Sequence, residues 1–125
     1  MTGRVDRAAA LLALAAGAHS LAVGLVLLFA PSLLVHLAGW SPPPRGFFVL
    51  QGGAFHVILA PGYVLEWRIH RRLRLLVLAK AGGTAFLAAT LLLGLAPAAA
   101  AIALLGDAAF LAAGVLLDRA LARSR

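Results

Sequence analysis

Four long apolar runs, at about 8–29, 47–67, 73–95 and 97–117, are separated by short polar or proline- and glycine-marked breaks. Each run meets the roughly 20 residues that an α-helix needs to cross a hydrocarbon core about 30 Å thick. In that medium backbone polar groups must be satisfied inside the chain, which selects helices. The pattern therefore predicts an all-α integral membrane four-helix bundle, one domain over 1–125. "APSLLVHLAGWSPPPRG" follows the first run, "EWRIHRRLR" the second and "GLAP" the third. The last break reads as a tight hairpin, with Gly94 ending one helix and Pro97 in the first turn of the next. The segment 31–40 reads either as a continuation of the first helix past a kink or as an interfacial piece anchored by Trp40. The first run outlasts the apolar core of a secretory signal and is read as an uncleaved span.

Composition agrees with that pattern. Of 125 residues, 63% are hydrophobic and 12% charged, whereas soluble domains are about half apolar and a quarter charged. Little polar surface is left for a separate water-facing module. With no cysteine, disulfides, thiolate catalysis and cysteine-ligated clusters are excluded. The formal net charge of +7 would fit nucleic acid only on a soluble basic face, so no nucleic-acid partner is expected.

The positions of the arginines explain the charge better. Arg4 and Arg7 flank the first span, Arg68, Arg71, Arg72 and Arg74 lie between the second and third, and Arg119, Arg123 and Arg125 follow the fourth. The other two connections hold only Arg45. The positive-inside rule then places both termini and the central loop in the cytoplasm, with the arginines against the lipid bilayer's anionic headgroups.

Each span carries one ionisable residue well inside it: His19, His56, Lys80 and Asp107. At about 1.5 Å per residue, the histidines and Asp107 lie roughly 15 to 17 Å from the basic end and Lys80 roughly 10 to 11 Å. Spacings of three and four set each among small residues, as packed membrane helices require, so all four are expected to face inward. A buried charge here needs a partner. Lys80 and Asp107 form one candidate pair, directly or through a water or ligand, against a depth offset near 6 Å. In the alternative, Lys80 joins Tyr63 and Glu66, and Asp107 joins the histidines. His19, His56 and Asp107 would then be candidate metal ligands, or the two histidines haem ligands. No hydrolytic triad or phosphate loop is present, and the second span should kink at Pro61.

In layout the chain resembles the DoxX-like small four-helix bacterial inner-membrane proteins. The shared features are a proline-marked outer segment after the first span ("FAPSLLVHLAGW"), a glycine-bearing second span ("QGGAFHVILAPGY"), a basic loop, a lysine in the third span and "GDAAF" in the fourth. The resemblance implies a bacterial inner-membrane location, links to quinone-coupled or membrane redox assemblies, and Lys80 with Asp107 as a polar pair. The expectation is a non-catalytic binding or accessory subunit that oligomerises with itself or joins a larger complex, with quinone or haem as candidate cofactors. A proton-coupled transporter or channel, and a haem or metal carrier, are the alternatives. His19, His56, Tyr63, Lys80 and Asp107 are the candidate site.

Overall fold

The computed structural model describes residues 2–39 and 46–123. Helices α1 (Thr2–Phe29), α2 (Pro31–Ala38), α3 (Gly46–His70), α4 (Arg74–Leu92) and α5 (Ala100–Arg123) follow in chain order. Four of them, all but α2, are long and apolar enough to cross a membrane. The segment 31–38 forms the short helix α2: the first helix breaks at Ala30 and restarts at Pro31. Pro31 lacks an N–H, which an uninterrupted helix would use, but its fixed φ suits a first helical turn. Trp40 and Arg45 lie outside the described residues, as does Arg125.

Glycines set the closest helix contact, between α1 and α3. A Cβ on Gly17 would stand 2.9 Å from the Ala60 carbonyl oxygen, and one on Gly24 2.9 Å from that of Gly53. Backbones that approach this closely gain van der Waals contact along both helices, the main attraction available between helices in lipid. Helices α4 and α5 form a second pair, in which Gly114 makes room for Leu76. The pairs join mainly through α1 and α5, while α3 and α4 meet only sparsely. Buried side chains gather toward one end of the bundle. One cluster holds Ala9, Ala13, Trp67, Leu73 and Leu121, and a deeper one holds Ala16, Tyr63 and Leu76.

The first cluster also locates the charges. It brings the start of α1, the end of α3, the start of α4 and the end of α5 together, so the arginines of these segments share one end of the molecule. Pro61 does not interrupt α3, which continues to His70. At the α4–α5 turn, α4 stops at Leu92, Gly94 takes φ +67°, and Leu95 and Gly94 donate to the carbonyls of Thr90 and Leu91 at 2.8 and 3.1 Å. That is a Schellman motif, which needs the left-handed conformation glycine adopts freely. Pro97 differs from expectation: it precedes α5, accepting a bond from the Ala100 amide at 2.8 Å, and the helix begins at Ala100. The turn between the helices is therefore longer than "GLAP".

Candidate functional site

Lys80 sits on the buried face of α4, one turn beyond Leu76, and only 2% of it is exposed. Its Nζ donates to Asp107 Oδ1 of α5 at 2.5 Å. The direct pair forms despite the depth offset because of Gly83, one turn outward from Lys80. Asp107 Oδ2 lies 2.5 Å from where a Cβ on Gly83 would be, so the carboxylate rests against bare α4 backbone. The four-carbon lysine stem covers the remaining rise, about 4.5 Å between Lys80 and Gly83.

Phe110 completes the lysine's surroundings. Its ring lies 5.2 Å from Nζ, within reach of a cation–π attraction. It sits three residues after Asp107 and therefore on the same helical face. It also meets the His19 ring, centroids 5.5 Å apart. His19 itself is exposed at the bundle edge. The inward expectation for His19 fails because the buried face of α1 runs through Ala13, Ala16, Ser20 and Gly24; Ser20, one residue on, takes the inward position.

Ser20 is fully buried and its Oγ lies 3.4 Å from His56 Nδ1 of α3. Tyr63, two turns after His56 on α3, is 2% exposed and clusters with Ala16 of α1. Thus α1 and α3 contribute Ser20, His56 and Tyr63, and α4 and α5 contribute Lys80, Asp107 and Phe110. Thr84, one turn beyond Lys80, belongs to this region of α4, and its Oγ1 is buried without a hydrogen-bond partner. Buried polar groups are nearly always hydrogen-bonded, so an unpartnered hydroxyl is a feature that packing alone does not account for.

The alternative cluster of Lys80, Tyr63 and Glu66 does not form. Both Glu66 carboxylate oxygens accept backbone amides at the start of α4, from Arg74 at 3.0 Å and Leu75 at 2.9 Å. Asp118 of α5 accepts from the Leu73 amide and from Arg72 Nη2, each at 3.0 Å. The N-cap position, Leu73, has no side chain able to cap, so carboxylates from two other helices satisfy the free amides and oppose the positive end of the helix dipole. His19, His56 and Asp107 do not form a metal-ligand group: among the described residues no three histidine, cysteine, aspartate or glutamate side chains come together as one. His36 and His70 are exposed on α2 and at the end of α3.

Sequence reasoning missed Ser20, Phe110 and the capping roles of Glu66 and Asp118. Ser20 and Phe110 carry a helical-spacing signal, one turn from Ala16 and Asp107 respectively; the caps are long-range and leave none.

These features define a multi-pass membrane helical bundle with a buried lysine–aspartate pair in a polar layer. Comparison of the chain with protein-family models, with curated proteins and with solved structures finds no match.

Proposed function

We propose that this chain is a small multi-pass protein of the bacterial cytoplasmic membrane, both termini cytoplasmic, acting as a non-catalytic binding or accessory subunit of a membrane assembly. Its polar layer receives the polar end of a lipophilic ligand of the quinone type. The topology rests on the arginine-rich end, and the bacterial setting on the DoxX-like layout.

The observation that carries the binding reading is the unpartnered Thr84 hydroxyl on the Lys80 face of α4. Helix packing alone does not require the ion pair beside it: buried ion pairs exchanged for well-packed apolar residues are often neutral or stabilising. Ionisable groups inside a membrane bundle therefore point to function by default. A quinone carbonyl accepts hydrogen bonds, which hydroxyls such as those of Thr84, Ser20 and Tyr63 donate, while its isoprenoid tail suits the apolar flanks.

The test is mass analysis of lipids retained by protein purified in mild detergent, together with its absorption spectrum and metal content. Wild type is expected to retain a quinone-class lipid, and Thr84→Val to lose at least about ten-fold of it, one hydrogen bond's worth in an apolar site, with an unchanged melting temperature. Stoichiometric haem or metal, lost in His19→Ala or His56→Ala, would replace this reading with a redox carrier. Substrate-driven proton flux in proteoliposomes without a retained ligand would replace it with a transporter.

A further inference from the structure

Helices α3 and α4 are joined by a short turn, yet they meet only sparsely. Their side-chain contacts begin at the basic end, where Glu66 caps the start of α4. One turn deeper, a Cβ on Gly62 would stand 3.0 Å from Leu75 Cδ2. Leu59 and Ala79, next along the same two faces, both pack against the deeper cluster of Ala16, Tyr63 and Leu76.

Spacings of three and four carry those faces outward to Phe55 on α3 and to Gly82 and Phe86 on α4. There the seam is open. A Cβ on Gly82 would meet nothing among the described residues within 4 Å, and Phe55 and Phe86 are 57% and 67% exposed. Phe55 lies two helical turns beyond Gly62, and Gly82 two turns beyond Leu75, about 10 Å in each case, so the two stand at one level. That level is the depth of the polar layer: the half-buried His56 follows Phe55, and Lys80 and Gly83 flank Gly82.

An unfilled gap forfeits van der Waals contact on both of its walls, so a flexible apolar chain suits it. The acyl chain of a phospholipid is a poor match, because its phosphate stays at the interface and the partly exposed His56 would face hydrocarbon alone. A lipophilic molecule with an uncharged polar end meets both needs. We propose that the outer half of the α3–α4 seam holds the tail of a lipophilic ligand of the quinone type, its polar end beside His56 and its chain leaving toward the neutral end between Phe55 and Phe86. This rests on the quinone reading above and adds the ligand's orientation.

The test compares uptake of decylubiquinone and of its tail-free analogue by the protein in phosphatidylcholine nanodiscs, each corrected for uptake by protein-free nanodiscs. Wild type is expected to hold both and to favour the tailed probe. Gly82→Trp fills the opening and should lower uptake of the tailed probe about five-fold, the loss of contact along several carbon atoms, while uptake of the analogue and the melting temperature stay as in wild type. Phe86→Ala, which removes one wall instead, should lower uptake of the tailed probe in the same selective way. Leu105→Trp, at an exposed position of α5, should behave as wild type. A wild type that holds neither probe would overturn the quinone reading and this inference together. A wild type that holds both without favouring the tail would overturn the groove and leave the quinone reading standing. So would an undiminished preference for the tail in Gly82→Trp or Phe86→Ala, or an equal loss in Leu105→Trp.

Discussion

Lys80 and Asp107 illustrate how a residue's worth depends on its partner. Removing one leaves the other as an unpaired buried charge, and breaking a buried pair in this way costs about 3 to 5 kcal/mol. Lys80→Leu is therefore expected to lower the melting temperature in detergent sharply, and the double change Lys80→Leu with Asp107→Leu to recover most of the loss; a double variant as unstable as the sum of the singles would show that the two do not act as a pair. Gly83 gives a finer test. An alanine methyl there would collide with Asp107 Oδ2, whereas at Gly82 it meets nothing within 4 Å. Gly83→Ala should cost about 1 to 3 kcal/mol through crowding, and Gly82→Ala should be neutral or gain about 0.5 to 1 kcal/mol from helix propensity. Thermal unfolding of the two variants side by side measures the difference.

Among the elements, α4 depends most on its neighbours. It opens on Arg74-Leu75-Leu76 with no capping residue of its own, and Glu66 and Asp118 supply the acceptors. Glu66→Ala and Asp118→Ala are each expected to cost about 1 to 2 kcal/mol, the scale of a lost helix cap, and to raise hydrogen exchange at the amides of residues 73–75 before it rises elsewhere in α4. The sequence was informative about the far end of the same helix, where Gly94 marks the Schellman turn, because that motif is local. It was silent about the near end, because Asp118 lies 45 residues from the amide it caps. The same division holds for the polar layer. Helical spacing put Lys80 and Asp107 on faces with small residues, but a one-residue rotation of α1 separates buried Ser20 from exposed His19, and alanine is so common along α1 that its inward face has little contrast. Only the packing against Gly53 and Ala60 of α3 fixes that rotation.

The whole molecule divides its charge by position. Arg4, Arg7, Arg68, Arg71, Arg72, Arg74, Arg119 and Arg123 share an end with Asp6, Glu66 and Asp118, and Asp107 is the remaining acid of the chain. This polarity was legible in the sequence as the alternation of basic and neutral connections, since four antiparallel spans bring every second connection to the same side. How the helices pair was not, because apolar faces of similar composition give no preference for one neighbour over another. The α1–α3 and α4–α5 pairs owe their closeness to particular glycines. That arrangement bears on how the chain enters the bilayer during synthesis. Lysine or aspartate alone at the centre of a span opposes insertion by about 2.5 to 3.5 kcal/mol, but here both belong to one hairpin, α4 and α5. The two helices can partition together as a neutral dipole, so the second half of the protein is expected to insert as one unit: Asp107→Leu, although it makes α5 more apolar, should reduce the fraction of nascent chains in which α4 is integrated.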